Sequence, residues 1–388
     1  MSLAKISHNG IRNTGNQCFI NATLQCFASS PFILEFISRY KIKDDNIINF
    51  INKFNLGQFK AQDIKLECSK ILLEQYDNLS VDEITILKQL IKHSFDIFIY
   101  ISFKEMIKKI NSNGNKIINN KAFLSIVDEL STGTGFEHLF SGDQNDPHEF
   151  MAYLLDKLHD AKSTSVTIEI PANIDELDIY SSLRLKDFKS RYENDYSYFV
   201  KNLYYYILNC IQCSKCKHKT HSIYPNNIIC LSIPSIPIVT LYDCLNDMFK
   251  IDNIDYKCEK CDNIEDNLKE QKLLSEPKTL IFKLIRYTNI PNSNRFVKIN
   301  KMIQYPKVLD MQNYFCGNDT LNKYKLYAII NHTGTMNSGH YYSFIKTLKD
   351  DNKTFNDQWI CCNDEHVTYI SEEEVMNSQN AYMLFYTI

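Results

Sequence analysis

The chain has 388 residues, with 43 Lys and Arg against 46 Asp and Glu, a formal net charge of −3. Hydrophobic residues make up 44% and charged residues 23%, which excludes disorder as the main state and allows a sizeable core. The near-neutral balance, with no long basic run, argues against nucleic acid or an anionic membrane as the main partner. No apolar run approaches the roughly 18 residues that a membrane-spanning helix needs, and the densest, at 95–103, carries Asp96. The opening Met1–His8 lacks the apolar centre of a signal peptide, so an intracellular protein, cytoplasmic or nuclear, is expected. Thirteen cysteines do not suit a secreted disulfide scaffold, which is short and has an even count. In a reducing compartment, clustered cysteines bind metal or do chemistry.

In chain order, Gly10–Gly15 reads as a loop and Cys18–Ala28 as a helix with Ile20, Leu24 and Phe27 on one face. Ser29, Ser30 and Pro31 break it. Residues 40–120 are mostly helical in pattern, with polar joints at Asn111–Asn115 and at Asn119 and Asn120. A second strong helix starts at Asp146, which caps, with Pro147 at the first helical position and Glu149 completing a capping box. Phe150, Met151, Leu154, Leu155 and Leu158 supply its buried stripe. A polar link covers 162–195. Beyond it, strands are predicted at Ile228–Ile233, Thr279–Ile285, Tyr324–Ile330, Tyr341–Ile345 and Tyr382–Tyr386. Helices early and strands late predict an α+β fold.

Two Cys-x-x-Cys pairs, Cys213 with Cys216 and Cys258 with Cys261, can each present two thiolates from a tight turn. Together they complete a tetrahedral four-cysteine zinc site, and full ligation makes its role structural. The 42 positions between the pairs suit two hairpin tips clamped by the metal. Cys210 and His218 lie near enough to compete as ligands. Cys18 opens a helix, where the dipole favours thiolate, after a loop rich in Gly and Asn that offers donors to an oxyanion. Cys26, two turns on, reads as packing. His340 falls where a strand begins, and Asn363 and Asp364 end the next one. Either of these two can orient the imidazole through its other ring nitrogen. The order Cys, His, Asn/Asp is the logic of a papain-like thiol hydrolase.

These residues carry a resemblance to a family. The run Gly10–Asn21 with Leu24 and Gln25 resembles the cysteine box of the ubiquitin-specific proteases. Gln144–Phe150 with Leu154–Asp156 is similar to that family's Gln-Gln-Asp box. His332–Tyr341, Trp359–Asp364 and Ala381–Tyr386 resemble its histidine box and C-terminal strand. The two cysteine pairs match its zinc-bearing fingers. The resemblance implies one papain-like catalytic domain with thumb, palm and fingers. A helical thumb would occupy 1–165, with an insertion within 40–118, because 126 positions separate Cys18 from Gln144. A β-rich palm and fingers would occupy 166–388, the fingers at about 200–275, with ubiquitin's tail threading between thumb and palm.

The implied activity is thiol-dependent hydrolysis after the C-terminal glycine of ubiquitin, acting on ubiquitinated proteins. Cys18 is then the nucleophile and His340 the base and acid. Asn363 orients His340 with Asp364 assisting, and Asn13 donates to the oxyanion. Asp146 contacts the tail, unless it is only a helix cap, and Tyr341 lines the channel for the tail's glycines. The substitutions Gln17, Asn145 and Pro147 depart from the family pattern without removing a reacting group. A protease for a ubiquitin-like modifier fits the same residues. A catalytically silent ubiquitin-binding scaffold would be expected to have lost the cysteine or the histidine, and this chain keeps both.

Overall fold

The computed structural model describes residues 8–40, 81–112, 116–174, 178–289, 296–316, 322–335, 338–349 and 351–388. Much of the expected insertion, at 41–80, lies outside the described residues. Two compact units are present. The first takes the described residues through Ser163 together with His340–Tyr369, and the second takes Thr164–Gly339 and Ile370–Ile388.

Among the described residues the first unit is built on the helices Cys18–Ala28, Pro31–Arg39, Val81–Ile110, Lys121–Ser131 and Pro147–Asp160. The sequence predicts one buried face for the Cys18–Ala28 helix, yet all eleven of its residues are buried. Its polar members survive burial because each is bonded. Thr23 Oγ1 donates to the Phe19 carbonyl at 2.8 Å and Gln25 Nε2 to the Asn9 carbonyl at 2.9 Å. Ser30 then caps the next helix, its hydroxyl accepting from the Ile33 N–H, with Pro31 at the first position. Edge-to-face aromatic pairs knit the helices, Phe19 on Phe150 at 6.1 Å and Phe27 on Phe103 at 6.0 Å. Asp146 caps Pro147–Asp160 through the His148 N–H at 2.9 Å. Glu149 does not close a capping box: its carboxylate lies instead 3.0 Å from His138 Nε2.

The strands Gly339–Leu348, Phe355–Asn363 and His366–Ile370 follow one another, and Ser343 faces Cys362 in the register of the first two. A short parallel pairing sets Gly10–Ile11 beside Ile117–Ile118.

Among the described residues of the second unit, two larger sheets stand beside two short two-stranded ones. One runs in the order Lys219–Asn226, Tyr205–Gln212, Asn267–Leu273, Asp252–Ile254, antiparallel throughout. The other is centred on Ala381–Thr387, which pairs antiparallel with Tyr324–Gly334 on one side and Thr279–Ile285 on the other. All seven residues of that central strand are buried, which explains its unbroken apolar run. The predicted polar link contains a helix, Ile179–Tyr192, that the sequence pattern misses. Among its residues only Tyr192 is buried, so it shows almost no apolar stripe. Asp178 starts it, accepting from the Tyr180 and Ser181 N–H groups at 3.0 Å each. Among the described residues no helix is long and apolar enough to cross a membrane.

One polar contact lies deep among the helices of the first unit. Lys157 Nζ stands 3.3 Å from Asp96 Oδ1, their side chains 14% and 4% exposed. Lys157→Met should destabilise the unit by about 3 kcal/mol, since it takes the cation from beside a buried carboxylate. The double change Lys157→Met with Asp96→Leu should recover most of that loss in a urea melt. A single variant as stable as the parent would show that the pair carries no such weight.

Candidate functional site

Residues 13–17 wrap around one side chain. Asn13 Oδ1 accepts from the Gly15 N–H at 3.1 Å and the Gln17 N–H at 3.3 Å. Gly15 and Asn16 both take positive φ, 143° and 47°, which glycine and asparagine tolerate. Asn16 Nδ2 donates to the Gly142 carbonyl at 3.0 Å. The loop delivers Cys18 as the first residue of its helix, behind an N-cap residue, Gln17, whose side chain makes no cap bond. The positive end of the helix dipole therefore lies at the residue that carries the thiol.

His340 comes from the start of Gly339–Leu348 and Asn363 from the end of Phe355–Asn363. Ring atom Nε2 of His340 lies 2.6 Å from Asn363 Oδ1, so Nε2–H donates and Nδ1 is left for Cys18. A hydrogen bond with the Cys18 side chain is the largest influence on His340, followed by burial, which opposes it, and by the bond with Asn363. The net effect raises its pKa from 6.5 to about 9. The Asp364 carboxylate stands 3.8 Å from the same nitrogen and adds a smaller raising influence. Every one of these groups belongs to the first unit.

Asp364 is itself tightly held. Its backbone is left-handed, φ 48°, in the turn before His366. Its carbonyl accepts from the Ile11 N–H at 2.8 Å, and its two carboxylate oxygens accept from Asn13 Nδ2 and Asn21 Nδ2, each at 2.8 Å. Asn13, expected to face an oxyanion, thus spends one amide hydrogen on Asp364 and keeps the other. Asn21 and its partner Asn120 are participants to which the sequence assigns no role. The signal available was Asn21 itself, a polar residue one turn after the nucleophile in a helix that also carries Thr23 and Gln25. Tyr341 is buried and Asp146 half-buried at its helix cap. Cys26 is fully buried, and burial pushes its thiol well up, as expected of packing.

In the second unit, Cys213, Cys216, Cys258 and Cys261 bring all four sulfurs within 4.8 Å of one another. Neither Cys210 nor His218 belongs to the cluster. The two knuckles repeat one design: the Lys217 N–H donates to the Cys213 carbonyl at 3.1 Å and the Asp262 N–H to the Cys258 carbonyl at 2.9 Å. Lys217 and Asp262 are both left-handed, at φ 59° and 56°. Sulfur separations of 3.5 Å (Cys213 to Cys261) and 3.6 Å (Cys216 to Cys258) approach the edge, about 3.8 Å, of a tetrahedron with metal–sulfur bonds of about 2.3 Å. The donor set and spacing fit zinc.

Comparison with known proteins agrees with this geometry. A family model described as ubiquitin carboxyl-terminal hydrolase matches residues 9–386. Ubiquitin carboxyl-terminal hydrolase 25 of Arabidopsis thaliana is 25% identical over 97% of this chain, which spans 47% of that protein. Ubiquitin carboxyl-terminal hydrolase 8 of Saccharomyces cerevisiae is 26% identical over 98% of this chain and 70% of its own length. Among solved structures, a chain of the SAGA Ubp8/Sgf11/Sus1/Sgf73 DUB module bound to ubiquitin aldehyde superposes with a TM-score of 0.64. The identity is 20%, and the match covers all of this chain and 71% of the other. The fold is thus the papain-like α+β fold of that structure. With a family match that spans nearly the whole sequence, the chain belongs to the ubiquitin carboxyl-terminal hydrolase family.

Proposed function

We propose that this protein is a thiol-dependent deubiquitinase that hydrolyses the amide or isopeptide bond after ubiquitin's C-terminal glycine. The observation that supports it most is the pairing of Cys18, at a helix N-terminus, with a histidine whose far nitrogen is held by Asn363 at 2.6 Å. In this reading Cys18 Sγ attacks the glycine carbonyl carbon, and the developing oxyanion takes the second Asn13 amide hydrogen and the Cys18 backbone N–H. His340, holding the thiol's proton on Nδ1, passes it to the departing lysine amine. A thioester remains, and His340 then draws a proton from the water that hydrolyses it, which regenerates the thiol. Asn363 keeps the ring aligned, and Asp364 adds charge beneath it. Asp146 would meet a basic residue of ubiquitin's tail and Tyr341 would line the passage for its glycines.

The same reading assigns a helical thumb to residues 1–165, with an insertion inside 40–118, and a palm and fingers to 166–388. It sets the enzyme inside the cell, where free thiols persist. Ubiquitin is the partner, as in the DUB module structures bound to monoubiquitin and to ubiquitin aldehyde. Cys213, Cys216, Cys258 and Cys261 hold one structural zinc per chain, whose four thiolates leave no open position for chemistry.

Cys18→Ala should abolish release of a fluorogenic amide from ubiquitin's C-terminus while ubiquitin still binds. Turnover by that variant would move the nucleophile elsewhere, and turnover only with a ubiquitin-like modifier would change the substrate. His340 keeps its proton until the pH rises through about 9, so kcat/KM should fall on the alkaline side near that value. Asn363→Ala removes a raising influence. The alkaline limb should then move to lower pH, with a rate loss of about 10²-fold, and Asp364→Ala should move it less. An unmoved limb in Asn363→Ala would remove Asn363 from the tuning of His340. Elemental analysis should find one zinc per chain, and Cys258→Ser or a strong chelator should lower the melting temperature by several degrees. A well-folded, metal-free wild type would contradict the zinc assignment.

A further inference from the structure

Behind Asp364 lies a line of side-chain amides. Asn21 Nδ2 donates to Asp364 Oδ1 at 2.8 Å, and Asn120 Nδ2 donates to Asn21 Oδ1 at 2.9 Å. Asn21 is 1% exposed and Asn120 fully buried. The carboxylate dictates the orientation of both. Ionised, it only accepts, so Asn21 must turn its NH₂ toward it and its oxygen away, and that oxygen must then find a donor. Asn120 supplies one at a cost to itself, because its own Oδ1 is buried without a partner among the described residues.

Asn120 also gives up the usual work of its position. It stands at the N-cap of Lys121–Ser131, where an asparagine side chain normally accepts from the first turn, yet it makes no cap bond. Asn119 Oδ1 takes the Lys121 N–H instead, at 2.7 Å. A capping residue has been diverted inward, and its dipole adds to that of Asn21 in pointing at the carboxylate.

We infer that Asn21 and Asn120 are positioning residues: a two-amide relay from the start of the Lys121–Ser131 helix that fixes the Asp364 carboxylate beneath His340. The inference rests on the assignment of Cys18 and His340 as the reacting pair. Neither amide touches substrate; both act through Asp364. Asn120 should therefore matter only while Asp364 is present.

The test is a double-mutant cycle of wild type, Asp364→Ala, Asn120→Ala and the double variant. The first readout needs no ubiquitin: the pH dependence of Cys18 alkylation by iodoacetamide, followed by the mass of the Cys18 peptide. The second is kcat and KM on the fluorogenic ubiquitin amide. Asn120→Ala should shift the alkylation profile in the same direction as Asp364→Ala and lower kcat about tenfold, the size of coupling seen between contacting residues. KM should stay within about twofold, because no contact to substrate is lost. The double variant should match Asp364→Ala in both readouts. Losses that multiply in the double variant, or an Asn120→Ala profile identical to wild type, would overturn the relay. Should Asn120→Ala fail to fold, Asn120→Ser reads the same cycle, since serine suits a helix start and is too short to reach Asn21. A wild type inert toward ubiquitin amide would count against the deubiquitinase reading, while the alkylation cycle would still decide the relay.

Discussion

The site depends on a fastening between two parts of the sequence some 350 positions apart. Asp364 receives Asn13 Nδ2 and Asn21 Nδ2 on its carboxylate and the Ile11 N–H on its carbonyl, all at 2.8 Å. Hydrogen bonds to a charged group contribute about 1.5–3 kcal/mol each, so the two carboxylate bonds outweigh a typical core contact. They tie the cysteine loop and its helix to the turn that follows Asn363, and so hold the thiol in register with the imidazole. The fit leaves no slack. A Cβ on Gly10 would come within 2.2 Å of the Glu365 carbonyl oxygen, a backbone atom, so only glycine lets the two segments approach. The left-handed backbone of Asp364 belongs to the same fastening, since it turns carbonyl and carboxylate together toward the loop.

How far this could be read from sequence follows from what kind of signal each element leaves. The Cys18–Ala28 helix has a stripe, a stop at Pro31 and both ends legible, and the structure gives the same bounds. Thr279–Ile285 and Ala381–Thr387 are dense in β-branched and aromatic residues, and their bounds are met to within a residue. Ile179–Tyr192 escapes because a half-buried helix with Tyr192 alone fully covered carries only a weak apolar period. The capping box at Glu149 fails because His138, eleven positions back, offers the carboxylate a competing partner. Asn120 reads as part of a polar joint because nothing in its neighbourhood says that its partner is Asn21, 99 positions earlier. Periodicity reports on surfaces; it is silent about single polar atoms paired at long range.

The zinc-fitting cluster solves a different problem in the other unit. The strand Lys219–Asn226 exposes or half-exposes every residue, and Asp252–Ile254 is barely covered. Sheets so thin bury too little apolar surface to hold their tips in place. The four cysteines gather where the strand pairs end, and their spacing would let one ion stand in for the missing core there. The matched left-handed residues Lys217 and Asp262 show that both tips fold into the same thiolate-presenting turn. The two units thus place sulfur in opposite settings: four cysteines gathered with one another in one place, and a single thiol beside an imidazole in the other.

That contrast sets Cys18 apart from the other described cysteines of a chain that holds thirteen. Cys26 and Cys362 are sealed within the first unit, where burial drives both thiols well up and keeps them protonated. Cys244, buried in its helix, is pushed up to about 11 by the same desolvation. Four more, Cys213, Cys216, Cys258 and Cys261, face one another within 4.8 Å. Among the described residues Cys18 is the one cysteine that opens a helix, and the one whose hydrogen bond helps raise a histidine's pKa to about 9. Burial does not distinguish it, since it is nearly as enclosed as they are, at 3% exposure. What separates it is the charge that waits beside it: the helix dipole on one side, and on the other an imidazole held by Asn363. Selectivity among chemically identical thiols is therefore set by position within the fold, and the amides around Asp364 keep that position in place.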